Sequence, residues 1–185
     1  MKSIFKIFCV ALIASSASAQ HGNHTQPEAN ATTAKAKSPR TSAMAMVGDN
    51  HVHIDYGSPS VRGRQIWNGL VAYDQVWATG AHKATWVDFS QDVVINGQTV
   101  PKGKYGFFTI PGPAEWTLIL SRDWDMHLAD DYKPEQDVVR VQVKPETQND
   151  LTEALTYEVV PEGKHKGEIR MRWEKVGVSL PFQNK

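Results

Sequence analysis

One cysteine, Cys9, occurs in 185 residues, and it stands too near the start to be the acylated cysteine of a lipoprotein leader. Beyond it the chain has no thiol, so neither a disulfide framework nor a thiolate site is available. Charge of one sign is just as scarce: Lys plus Arg and Asp plus Glu both number 20. A balanced chain offers no basic stripe to phosphate backbones, which argues against a nucleic acid partner. No apolar run reaches the roughly 20 residues needed to span a bilayer as a helix. No window carries a convincing helical period. The motifs of common chemistries are missing too. There is no GxSxG nucleophile elbow, no HExxH and no EF-hand calcium loop. Isolated carboxylates such as Asp55, Asp88 and Glu115 cannot be paired from spacing alone.

What is present begins with a leader. Lys2 and Lys6 form a short basic region, Ile7 to Ala14 an apolar one, and Ala17-Ser18-Ala19 ends it with small residues. This is the pattern of a cleaved signal peptide over residues 1–19, cut between Ala19 and Gln20, and it predicts export to the periplasm or beyond the cell. Losing two lysines leaves the mature chain slightly acidic. Residues 20–37 hold no bulky apolar side chain and read as a flexible tether. The composition changes at Ser38-Pro39, and residues 38–185 read as one domain large enough to fold on its core alone.

That domain is written in period two. Val52, Ile54 and Tyr56 alternate with His51, His53 and Asp55, the pattern of a half-buried strand. Val139, Val141 and Val143 repeat the pattern, as do Leu155, Tyr157 and Val159, then Ile169, Met171 and Trp173, then Val178, Leu180 and Phe182. Asn96-Gly97 supplies the pair of residues that a tight hairpin turn requires. Nine or ten short strands with turns every 8–12 residues predict an all-β antiparallel sandwich, jelly-roll or immunoglobulin-like. Clean alternation favours sheets with one wet face over a parallel core.

Several short patterns recur in a fixed order: Tyr56-Gly57-x-Pro59, Gly63-Arg64, Trp77-x-Thr79-Gly80-Ala81, Ala84-Thr85, Gly103-x-Tyr105 and Phe108-x-Ile110-Pro111. In these the chain resembles the bacterial secreted domains of unknown function grouped as DUF2911, over nearly all of residues 38–182. The resemblance implies a β-rich exported domain of an envelope-bearing bacterium and implies no reaction. Two positions depart from the family's usual pattern, Ala78 for an arginine and His82 for an asparagine.

The first candidate site is built on Gly63-Arg64 and the segment WATGAHKAT. Arg64, His82, Lys83, Thr79 and Thr85 offer polar groups, Trp77 a flat apolar face, and Gly80 room for close approach, a combination suited to a small ligand, a glycan or another envelope component. The competing reading makes Trp77 core, Gly80 a bulge and Arg64 a structural donor. Trp86 faces outward if Val87 and Phe89 face inward, which calls for a covering loop. The second candidate is a copper or zinc site at His51 and His53, two apart on a strand and so on one face, with His82 as a further ligand. Met44 and Met46, on one face of the preceding strand, belong to the same constellation, since imidazole and thioether together suit copper, and His21 and His24 lie in the tether. The loop with Asp123, Asp125, Asp130 and Asp131 is long for a connection but reads as solvated, and His165 as an exposed turn residue. Three functions follow in order: a non-catalytic exported binding module, a periplasmic copper or zinc protein, and a hydrolase or isomerase acting on envelope material.

Overall fold

Apolar side chains at every second position reach a common side only from a pleated backbone, and the chain forms ten strands on that rule. The computed structural model describes residues 37–185; the leader, its cleavage site, Cys9, His21, His24 and all of the tether but Lys37 lie outside the described residues. The strands are β1 (Arg40–Val47), β2 (Asn50–Gly57), β3 (Trp86–Phe89), β4 (Val93–Ile95), β5 (Gln98–Val100), β6 (Gly103–Ile110), β7 (Trp116–Ser121), β8 (Asp137–Val143), β9 (Glu146–Glu162) and β10 (Lys166–Asn184). They make a six-stranded sheet in the order β1-β2-β3-β6-β7-β8 and a four-stranded one in the order β5-β4-β10-β9. All strand pairs are antiparallel. The expected sandwich is the fold found. No helix among the described residues is long and apolar enough to cross a membrane.

The alternating residues meet between the sheets. Val52, Ile54, Val87, Phe89, Phe107 and Leu118 of the larger sheet share one buried cluster with Leu155, Tyr157, Ile169, Trp173, Leu180 and Phe182 of the smaller. The hairpin read at Asn96-Gly97 forms as expected, with φ of 49° and 77° at its two central residues.

Two strands are longer than the reading allowed: β9 has 17 residues and β10 has 19. The inward set of β10 changes parity, from Ile169, Met171 and Trp173 to Val178, Leu180 and Phe182. Two register shifts flank Glu174, whose φ is 57°, and the switch is made there without ending the strand. One extra residue turns a strand over, so a change of parity reads as two strands until the bulge is seen.

The outer face of the six-stranded sheet is divided in two. Over β6 and β7, Phe108 and Ile119 are covered by Ala78, Ala84 and Met126 from two loops, making a second small core. Ala84 N–H donates to Met126 O at 3.0 Å and Leu128 N–H to His82 O at 2.6 Å, which staples the loops together. Tyr132 donates to Asp137 at 2.6 Å and accepts from Arg140 at 2.8 Å, closing the far end. Burial and the Asp137 carboxylate push the Tyr132 hydroxyl up to about 12, so it stays a donor. Over β1 and the start of β2 the outward Met44, Met46 and His51 stand exposed, and that half is open.

Candidate functional site

The segment from Trp77 to Thr85 is a tight knot of backbone. Trp77 pairs with Thr109 of β6 in both directions, at 2.8 and 3.0 Å. Thr79 and His82 have φ of 49° and 65°, conformations that side-chain-bearing residues seldom adopt and that need outside support. The support is close at hand. Thr79 O accepts from Thr85 Oγ1 at 2.9 Å and from the buried Tyr157 hydroxyl at 2.9 Å. Thr79 Oγ1 lies 3.2 Å from Thr109 Oγ1. Burial, with the neighbouring Tyr56, holds the Tyr157 hydroxyl well above its ordinary range, so it remains protonated and donating.

Thr79 and Thr85 are therefore fully buried with their hydroxyls committed to this knot. Trp77 packs edge to face on Trp67 and stacks on Trp173, and its indole N–H donates to Gly80 O at 3.1 Å. Arg64 spends its guanidinium on Val61 O at 3.1 Å and Ser60 O at 2.6 Å. His82 and Lys83 are exposed, and Lys83 reaches Asp125 at 3.2 Å. Arg64, Trp77 and His82 line none of five surface cavities of about 300–440 Å³ found among the described residues. The structure brings Trp77, Thr79 and Thr85 together and leaves Arg64 on its own turn.

Tyr157→Phe tests the knot. It deletes one donor to Thr79 O and leaves the Thr85 donor in place, so the expected loss is about 0.5–1.5 kcal/mol of unfolding free energy, read by urea denaturation. No measurable change would mean that the knot does not depend on that hydroxyl.

The open half of the outer face holds the other candidates. A two-residue turn, Gly48-Asp49, sets the register of β1 against β2: Met46 opposite His51 and Met44 opposite His53. Across β2, His53 faces Asp88 and Asp55 faces Trp86 on β3, and Asp88 in turn faces Lys104 on β6. The result is a patch with two thioethers and two imidazoles side by side. Met44 and Met46 are 56% and 53% exposed, two of the five exposed large apolar residues among those described. The rings of His51 and His53 stand 6.1 Å apart, and Trp86 meets His53 edge-on at 5.1 Å.

Trp86 marks the border between the halves. Lys104 Nζ sits 3.9 Å from its ring centre and 4.4 Å from that of Trp124, a residue of the long loop after β7. An ammonium held between two indole faces is a favourable cation–π arrangement. The loop expected over Trp86 is this one. Two of its acidic residues serve locally: Asp125 with Lys83 and Asp130 with His127 at 3.0 Å. Arg40 ties the corner of the patch down, pairing with Asp55 and donating to Lys83 O at 2.9 Å and Ala84 O at 3.1 Å. Among the described residues, no three His, Cys, Asp or Glu side chains gather as a metal-binding group.

The sequence groups the histidines and methionines as one constellation without pairing them residue by residue. The signal that joins them is Gly48-Asp49, a turn dipeptide of the hairpin class, from which the pairing of Met44 with His53 follows by counting.

A family model described as a protein of unknown function, DUF2911, matches residues 38–182. No curated protein and no solved structure matches the chain.

Proposed function

The chain belongs to the DUF2911 family, and on that premise we propose that it is an exported binding module whose ligand sits on the open half of the outer sheet face, over β1 and β2. The observation that carries this reading is the composition of the open half. Sheet faces turned to water ordinarily carry small polar and charged side chains, whereas here two methionines stand more than half exposed beside two histidines and a tryptophan. Exposed thioethers gain nothing from water and are adaptable contact groups. The other half of the same face shows what this fold does with apolar groups that need cover: it lays loops over them. The leader pattern of residues 1–19 supports export.

The segment around Arg64, Trp77 and His82 is the second place for a ligand. The exposed ring of His82 and the exposed Lys83 support it. The commitment of Thr79, Thr85, Trp77 and Arg64 to internal bonds weighs against it.

Methyl spectra of protein carrying ¹³C-methyl methionine separate the two. Titration with envelope glycan fragments, small organic molecules and metal ions is expected to move the Met44 and Met46 signals and to leave the buried Met126 and Met171 unmoved. A ligand that binds without moving either exposed methyl, and is lost in Arg64→Ala, would shift the site to the Arg64 segment.

A further inference from the structure

The chemistry of the open half also says what kind of ligand it suits, and this inference rests on the reading just given. We propose that Met44, Met46, His51 and His53 form a binding site for a soft monovalent metal ion, copper(I).

The geometry is set by the hairpin. Directly opposite residues on paired antiparallel strands have Cβ atoms about 4.5–5.5 Å apart, and residues two apart on one strand lie about 6.5 Å apart. Met44 and His53 form one opposite pair and Met46 and His51 the other. Their side chains rise from the corners of a small rectangle on one face. An ion above its centre is within reach of all four arms, since metal–nitrogen and metal–sulfur bonds run about 2.0–2.3 Å. The 6.1 Å between the imidazole centres leaves room for an ion between them.

The donor set chooses the metal. Zinc is held by thiolate, imidazole and carboxylate, and no three such side chains gather among the described residues. A metal on this face must therefore use the thioethers, and thioether sulfur with imidazole selects copper(I) among the first-row ions. His53 is prepared for the role. Its Nε2 is buried and has no hydrogen-bond partner in the protein, so no internal bond competes for that nitrogen and the ring must turn outward to present it. The edge of Trp86 restrains its ring. Asp88 is its neighbour across the strand pair on β3. The two thioethers, both more than half exposed, are the arms that meet an incoming ion first.

The test is an anaerobic titration of the purified protein with copper(I) in competition with the coloured chelator bicinchoninate. Stoichiometric binding is expected, with affinity reduced at least about 100-fold in Met44→Leu/Met46→Leu and in His51→Ala/His53→Ala, because losing primary ligands exceeds the 10- to 100-fold effect of changing the groups behind them. Leucine matches methionine closely in volume, and these positions are exposed, so the fold is retained. Zinc(II) is expected not to compete. Affinity within about threefold of the parent in the methionine variant would overturn the proposal, as would a failure to compete for copper(I) at all. His21→Ala/His24→Ala should leave affinity unchanged. Loss in that variant, with the methyls of Met44 and Met46 unmoved, would put the ion on the N-terminal segment and overturn the proposal.

Should a ligand variant fail to fold, silver(I), a redox-inert substitute for copper(I), reports on the unaltered protein. It is expected to shift the ¹³C methyls of Met44 and Met46 and not those of Met126 and Met171. Organic ligands that move both exposed methyls while copper(I) and silver(I) do not would end the metal proposal and leave the face as a binding surface.

Discussion

Trp173→Ala is expected to lower the free energy of unfolding by about 3–5 kcal/mol, the range for deleting a buried indole. In a domain of this size the melting temperature should then fall by roughly 10 °C. Trp173 is 1% exposed and lies at the centre of an indole cluster. Trp67 meets it edge-on at 5.9 Å, Trp77 stacks on it at 5.8 Å, and Trp116 closes on Trp67 at 4.8 Å. Neither Trp67 Nε1 nor Trp173 Nε1 has an acceptor, so the loss is one of packing and cavity rather than of a hydrogen bond. Trp173→Phe keeps an aromatic body and removes an unsatisfied donor, and should lose much less.

The same cluster decides what Trp77 is. Half-buried and stacked on Trp173, it should lose about 2–3 kcal/mol on replacement by alanine, somewhat below the range for a fully buried indole. A platform for sugars would behave in the opposite way, losing ligand and keeping stability. Chemical denaturation of Trp77→Ala and Trp173→Ala together therefore separates core from site. A Trp77 variant as stable as the parent would return that ring to the list of ligand contacts.

Much of the sandwich was legible because one physical rule wrote it. Where a strand has one face inward, alternation is obligatory, and Val52, Ile54 and Tyr56 declare it without help from any neighbour. The Asn96-Gly97 turn was legible for a similar local reason, since it demands left-handed backbone at two successive residues. The outward Trp86 was legible as a residue in need of cover, though not that Trp124 would supply it with Lys104 between them.

What stayed hidden depends on partners far along the chain. Thr79, His82, Lys83 and Thr85 look like a polar site in one dimension. Two of those four turn inward to satisfy a backbone knot whose other donor, Tyr157, lies 78 residues away. The patch of Met44, Met46, His51 and His53 has the reverse history. Each pair was visible on its own strand, and only the register set by a two-residue turn makes them one surface. Composition suggests which chemistry is available. Pairing decides which groups remain free to use it.

Gly57→Ala carries the second large effect, and its cause is the family pattern Tyr56-Gly57 meeting Trp77-x-Thr79-Gly80-Ala81. A Cβ on Gly57 would overlap the Ala81 carbonyl oxygen and stand 3.0 Å from that residue's carbonyl carbon and nitrogen. These are backbone atoms, so no side chain can swing aside. Nor can the segment retreat easily. Trp77 is paired to Thr109, Thr79 O holds two donors, His82 O is bonded to Leu128, and Arg40 grips Lys83 O and Ala84 O. The expected loss is about 3 kcal/mol, at the upper end of overpacking, because relief requires breaking several of those bonds at once. Gly63→Ala makes the control: its φ is +67° and nothing lies within 4 Å of the added carbon, so only the backbone preference of about 1–2 kcal/mol is lost. If urea denaturation gave Gly57→Ala a smaller loss than Gly63→Ala, the knot would have to be compliant. A compliant knot could not carry Ala78 and Ala84 firmly over Phe108 and Ile119, and the division of this sheet face into a covered and an open half would lose its structural basis.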